Sequence, residues 1–240
     1  MRSFLNKSIL SAIALAAISG TAFAQVTLPP GASAVPIPDV VLASPPFAGT
    51  LVDAQQSGFT AFGGTINATL LSAVYRVGGG PGVGTLDFYY QVINTSSSFT
   101  IATGGVNSFS GAVIQVGQSN ENIDGAGTGI NGVNFVATGA SIFNEAARGI
   151  APGPDVNFSF LPGTFTSGTT SNIFFVRTNA VAFSTVGSFA LQSGGIVAGA
   201  SGPVLAAVPA VGVPEANAGL LVGLALPLLG GIAILRRKKN

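Results

Sequence analysis

Gly84-Thr85-Leu86-Asp87-Phe88-Tyr89-Tyr90-Gln91-Val92-Ile93-Asn94 is the stretch that decides the fold class. Leu86, Phe88, Tyr90 and Val92 alternate with Asp87, Tyr89, Gln91 and Ile93. Successive side chains of a strand point to opposite faces, so a period of two predicts a half-buried strand with one mixed face. On that face Asp87 reads as a solvated position.

Outward from this stretch the pattern recurs. Leu71, Ala73, Tyr75 and Val77 form a second apolar set, and Gly78-Gly79-Gly80-Pro81-Gly82 separates it from Leu86, which predicts a hairpin with a flexible loop. Val156, Phe158 and Phe160 alternate with Asn157 and Ser159. Further strands are expected at 99–103, 111–117, 132–138, 171–178 and 185–191. About eight short strands, divided by Gly, Asn and Ser clusters, predict an all-β chain whose residues 49–200 form a β-sandwich. Only Ser141 to Arg148 (S-I-F-N-E-A-A-R) invites a short helix, with Ser141 as its cap. Residues 25–48 hold six prolines between Pro29 and Pro46 and read as an extended spacer or an irregular start. Residues 198–213 read as a linker, or as a last strand followed by one, with 201–212 assigned to the linker. No internal repeat stands out, which argues against a propeller or solenoid.

Composition narrows the function classes. Charged residues make up 7% of the 240, against roughly 25% in an average soluble domain, and apolar residues 48%. Cys, His and Trp are absent. Disulfides, thiolate or imidazole metal sites and Ser-His or Cys-His catalysis are therefore excluded. Six of the nine basic residues lie at the two ends, and between residues 25 and 212 only Arg76, Arg148 and Arg177 remain. Nucleic-acid binding needs clustered Lys and Arg to displace counterions, so no nucleic-acid partner is expected.

The amino terminus reads as an export signal. Arg2 and Lys7 precede an apolar run from Ser8 to Gly20, which is shorter than the about 20 residues needed to span a bilayer. Ala22-Phe23-Ala24 supplies a small-x-small cleavage site, so residues 1–24 form a signal peptide, signal peptidase is a partner, and the mature chain begins at Gln25.

The carboxyl terminus reads as a second address. Ala218 to Leu235 carries no charge and is 18 residues long, about 27 Å as a helix, close to the thickness of a bilayer core. This predicts one transmembrane helix at 218–235 in contact with membrane lipid. Arg236, Arg237, Lys238 and Lys239 follow at once, and such a basic tail stays cytoplasmic. Val213-Pro214-Glu215 stands just ahead of the apolar run. Motif, helix and basic tail over residues 213–240 together resemble the PEP-CTERM sorting signal of exported bacterial proteins. The resemblance implies recognition by exosortase, a membrane transpeptidase, and cutting near the motif. It places the protein first in the cytoplasmic membrane with its ectodomain outside, then at the cell surface or in the extracellular matrix of a Gram-negative bacterium. Val213, Pro214 and Glu215 match the first residues of the family's Val-Pro-Glu-Pro, and Ala216 departs from it.

Few residues offer chemistry, and no cofactor is expected. A glycosidase needs two carboxylates at a defined separation. Of the seven acids between residues 25 and 212, Asp87 reads as a strand position and Asp155, after Pro154, as part of a turn. Asn120, Asn122 and Asp124 place oxygen ligands at alternate positions before Gly125, as in a calcium loop. The loop lacks the leading Asp and the closing Glu, so a hydrogen-bonded turn is the preferred reading. Gly125 to Gly129 has no lysine and is no phosphate loop. Asn67, Asn94 and Asn157 begin Asn-x-Ser/Thr triplets, which are common by chance in so Asn- and Ser-rich a chain.

The expected function is that of an exported structural or adhesive surface protein, not an enzyme. The alternative is a carbohydrate-binding module of an exopolysaccharide matrix, with Tyr89 as the candidate for stacking on a sugar and extracellular polysaccharide as the partner. A polysaccharide hydrolase ranks third.

Overall fold

The computed structural model describes residues 25–43, 46–61, 64–96, 99–107, 109, 112–123, 133–138, 142–150, 155–193 and 196–207. The chain is all-β. Its strands are β1 (Val26–Thr27), β2 (Ser33–Ala34), β3 (Thr50–Ala61), β4 (Ile66–Arg76), β5 (Leu86–Asn94), β6 (Thr103–Val106), β7 (Ile114–Ser119), β8 (Phe143–Arg148), β9 (Val156–Phe160), β10 (Ile173–Thr178), β11 (Phe183–Ser193) and β12 (Ile196–Ala207). They form two six-stranded antiparallel sheets. The first runs β1-β7-β10-β5-β4-β3 and the second β12-β11-β6-β9-β8-β2.

The two sheets share one core. From the first sheet, Leu70 and Val74 of β4, Phe88, Tyr90 and Val92 of β5, Val116 of β7 and Phe174 and Val176 of β10 point into it. From the second come Val106, Phe143, Ala146, Val156, Phe158, Phe160, Phe189 and Leu191. Without tryptophan, phenylalanine supplies the bulk. The Phe174 ring lies 4.9 Å from Phe158 and 5.5 Å from Phe143, so it joins the sheets at their centre. Phe59 and Phe189, 5.5 Å apart, join them at another point. Offset and edge-on rings at such distances add to what area burial alone supplies.

The β4–β5 hairpin forms as the alternation predicts, with Leu70 opposite Val92 and Val74 opposite Phe88. β9 occupies the expected residues, and β7, β10 and β11 overlap the expected strands. Four expectations are corrected. Residues 142–148 make no helix: β8 covers Phe143–Arg148 and pairs with β9, Ala146 facing Phe158. The helix-favouring Glu-Ala-Ala-Arg yields because Phe143 and Ala146 bury their side chains on the sheet. Residues 133–138 form no strand. In place of a strand at 99–103, β6 starts at Thr103. The linker at 201–212 is overturned over 201–207, which belong to β12 and pair with β11, as the reading of a last strand in 198–213 expects.

The proline-rich start is irregular but packed. Leu28, Ala34, Ile37, Val40 and Leu42 are all buried, and β1 and β2 pair with β7 and β8. Arg148 fastens this segment. From β8 its guanidinium donates to the carbonyls of Leu28, Phe109 and Ala112 at 3.1, 3.0 and 2.7 Å. Burial lowers its pKa, and the three carbonyl bonds compensate the buried charge.

Among the described residues no helix is long and apolar enough to cross a membrane. The segment 218–235 lies outside the described residues.

Candidate functional site

Two surfaces compete for function: the outer faces of the two sheets. On the first sheet, the mixed face is built in rows set by strand register. Tyr75, Asp87, Arg177 and Gln115 are neighbours across β4, β5, β10 and β7. Ala73, Tyr89, Phe175 and Gly117 form the next row. This face is covered. Val40 and Leu42 from the amino-terminal segment, with Ile123, Val133 and Phe135 from the connection after β7, bury it as a second core.

Polar groups of the sheet hold that cover in place. Gln91 donates to the carbonyl of Val136 at 2.8 Å and accepts from its N–H at 3.0 Å. The Tyr75 hydroxyl donates to the Ile123 carbonyl at 3.0 Å. Gln118 donates to the Ile37 carbonyl at 2.8 Å. The sequence could not reveal this, because covering and covered residues are far apart in the chain.

Two sequence expectations fall here. Tyr89 is fully buried, in a tilted contact 5.7 Å from the Phe175 ring, and offers no ring to a sugar. Asp87 is not solvated: it is 1% exposed, and Arg177 Nε lies 3.0 Å from its Oδ2. Burial drives the Asp87 pKa up to about 7, against the attraction of Arg177 and a hydrogen bond from the Thr178 backbone. Desolvation costs the carboxylate more than one partner returns. The buried Tyr89 hydroxyl meets the Asp87 side chain, and this contact also works against the upward shift of the Asp87 pKa. Burial, aided by the Asp87 charge, also raises the Tyr89 pKa. Arg177 is fully engaged. It donates to the Pro81 carbonyl at 2.9 Å and to Gln25 Oε1 at 3.5 Å, and it sits 4.0 Å over the Phe47 ring. Asp87 and Tyr89 are thus buried, while Arg177 also lines a hollow of about 210 Å³ with Thr85, Gln115 and Asn179.

The outer face of the second sheet is different. Gln192, Thr103, Ser159 and Glu145 lie side by side across β11, β6, β9 and β8. One pleat along, Ala190, Gly105, Asn157 and Ala147 form a parallel row. Together they line an open groove of about 410 Å³. A second hollow of about 190 Å³ continues it past Asn107, Asp155 and Ser188 and shares Gly105, Asn157 and Ala190. Thr103 Oγ1 donates to Gln192 Oε1 at 2.8 Å. Ser159 Oγ is buried without a hydrogen-bond partner. Gly105 keeps the floor low, since a Cβ there would stand 2.3 Å from Asn157 Oδ1. No residue of this groove was singled out as a ligand contact from the sequence. Only the register brings four strands' small and polar side chains together.

The other predicted site residues are not brought together. Asp87 lies on the first sheet and Asp155 beside the second, so they form no carboxylate pair. Asn120 is held in a turn-like contact: its carbonyl accepts from the Thr138 N–H at 3.1 Å and its Oδ1 from the Thr138 hydroxyl at 3.3 Å. Asn122 is half-buried, and Asp124 lies outside the described residues. Among the described residues no group of three or more acidic side chains could hold a metal ion. Of the Asn-x-Ser/Thr asparagines, Asn94 is fully buried, its amide bonded to the carbonyls of Phe99 and Phe165. Gln25 is half-buried, whereas Ala22, Ala24, Val213, Pro214, Glu215, Arg236, Arg237, Lys238 and Lys239 lie outside the described residues. Comparison with known families, curated proteins and solved structures finds no match for this chain.

Proposed function

We propose that this chain is an exported, non-enzymatic surface or extracellular-matrix protein, structural or adhesive in role. It carries a β-sandwich ectodomain between a cleaved leader and a PEP-CTERM-like sorting tail read by exosortase. The observation that carries this reading is the order of three features at the carboxyl end: Val213-Pro214-Glu215, the uncharged run Ala218 to Leu235, and the basic cluster Arg236 to Lys239. The all-β architecture of the described residues between the two addresses fits an ectodomain.

The tail gives the sharpest test. Basic residues resist translocation, so Arg236 to Lys239 hold the helix in the membrane with the motif just outside it. Deleting residues 213–240 is expected to release soluble protein and abolish surface retention. In a strain lacking exosortase, the form with its tail intact is expected to accumulate in the membrane. Unchanged size and location in that strain would make the tail an ordinary anchor, with Ala216 as the reason. Amino-terminal sequencing of the exported form is expected to begin at Gln25.

A further inference from the structure

We propose that the groove on the outer face of the second sheet binds a neutral, hydroxyl-rich oligosaccharide chain. The assignment deepens the matrix reading by naming a site, and it does not depend on the sorting tail.

The lining carries the argument. Thr103, Ser159, Asn157 and Gln192 present hydroxyls and amides, groups that both donate and accept. A polyol needs that mixture, because each of its hydroxyls also does both. The Ser159 hydroxyl oxygen is already withdrawn from water and has no protein partner. A buried hydroxyl left unpaired costs free energy, and a turn of the Ser159 side chain about χ1 toward the groove would let a ligand hydroxyl recover it. Ala190, Gly105 and Ala147 form a floor without bulky side chains, so the C–H face of a sugar ring can lie close to the sheet.

Charge selects the class. Glu145 lines the groove and Asp155 its extension, and none of the three arginines of the described chain lines either. Arg76 bonds the Gly84 carbonyl, Arg148 is buried and Arg177 belongs to the first sheet. A polyanionic chain would meet two carboxylates without a compensating cation. A wholly apolar ligand would strip water from the amides and hydroxyls without replacing its bonds. The extent suits a chain rather than a single sugar. From Gln192 to Ser188 is about 13 Å at roughly 3.3 Å per residue, and four strands span about 14 Å across.

The test uses the full-length chain purified in a detergent without a sugar headgroup. Cello-, malto- and manno-oligosaccharides are titrated by calorimetry at up to millimolar concentration, beside oligogalacturonate and oligolysine. At least one neutral series is expected to bind, and the two charged oligomers are not. The Asn157→Ala, Gln192→Ala double variant is expected to weaken binding at least about tenfold, or 1.4 kcal/mol. Its urea midpoint should match the parent's, since Asn157 and Gln192 are both exposed. No binding by any neutral series, unchanged affinity in the double variant, or preference for either charged oligomer would overturn the assignment. Such a result leaves the export reading standing, because that reading is tested by tail processing in cells.

Discussion

The two sheets have equal strand numbers and the same antiparallel pairing, yet their outer faces have opposite fates. On the first sheet, Leu71, Tyr75, Tyr89, Ile173 and Phe175 point outward and are sealed beneath two covering segments. On the second, the outward residues are Thr103, Gly105, Glu145, Ala147, Asn157, Ser159, Ala190 and Gln192, and the face stays open. Side-chain size accounts for the difference. Large apolar groups gain roughly 1.5–3 kcal/mol each from burial, enough to recruit and order a loop. Glycine, alanine and short polar groups gain too little to offset that ordering. A face left open in this way keeps its polar groups for a ligand.

The comparison is broken most severely by removing the centre of the cover's contact. Phe175 is fully buried, with Tyr89 5.7 Å away and Phe47 6.4 Å away. Phe175→Ala is expected to cost about 3–5 kcal/mol in urea denaturation. No single truncation among the outward residues of the second sheet should approach that value.

Acidity gives the next contrast. The Asp87 carboxyl is shifted from 3.8 to about 7 by burial. Between those values the unfolded chain has lost this proton while the folded chain keeps it. The folded state then binds more protons, so stability falls as pH rises through this window. The contribution is fully present below 3.8 and lost once pH passes about 7. The unfolding free energy from urea denaturation is expected to decline by a few kcal/mol across the window. In Asp87→Asn this part of the slope should vanish. A parent and variant with parallel pH profiles would show that Arg177 keeps the carboxylate ionised throughout.

Two glycines offer a matched pair. A Cβ on Gly117, on the covered face, would stand 2.4 Å from the Phe175 ring, which is held within the second core. Gly117→Ala is expected to cost about 1–3 kcal/mol through overpacking. A Cβ on Gly105 would meet Asn157 Oδ1 at 2.3 Å, but that is the end of an exposed side chain that can turn into solvent. Gly105→Ala should change stability by no more than about 0.5 kcal/mol while raising the groove floor and weakening sugar binding.

The same contrast explains what could be read from the sequence. Alternation in Leu86 to Ile93 and in Val156 to Phe160 reports the pleat directly, so β5 and β9 were legible. It does not report what covers the second face, so Tyr89 and Asp87 read as accessible when they are buried. The cover comes from residues near 40 and near 135, which no local pattern connects to β5. β3, with Asp53, Gln55 and Gln56 among small residues, lacks a clear alternation and escaped notice. Within 142–148, local helix preference competed with pairing to β9, and pairing won. For the groove, alternation in β9 places Asn157 and Ser159 on the polar face but gives no sign of their neighbours. Thr103, Gly105, Asn157, Ala190 and Gln192 are unremarkable along the chain, and only strand order makes them neighbours.

The smallest effects come from deleting one hydroxyl on each face. Ser159 Oγ is buried without a hydrogen-bond partner, whereas the buried Tyr89 hydroxyl meets the Asp87 side chain. Tyr89 lies under the cover, and its hydroxyl is desolvated beside the Asp87 side chain. Tyr89→Phe keeps the ring packing, removes only that contact, and is expected to change stability by no more than about 1 kcal/mol. Ser159 lines an open groove, and its removal exposes only a methyl group there. Ser159→Ala is expected to leave the unfolding free energy within about 0.5 kcal/mol of the parent. The two variants then separate on binding. Tyr89→Phe should leave oligosaccharide affinity unchanged, because the first sheet's outer face is sealed. Ser159→Ala should lower it about two- to tenfold, the loss of one neutral hydrogen bond. Equal affinity in both variants would mean that the Ser159 hydroxyl stays unpaired when the groove is filled, and the bound chain would then rest on the Asn157–Gln192 side alone.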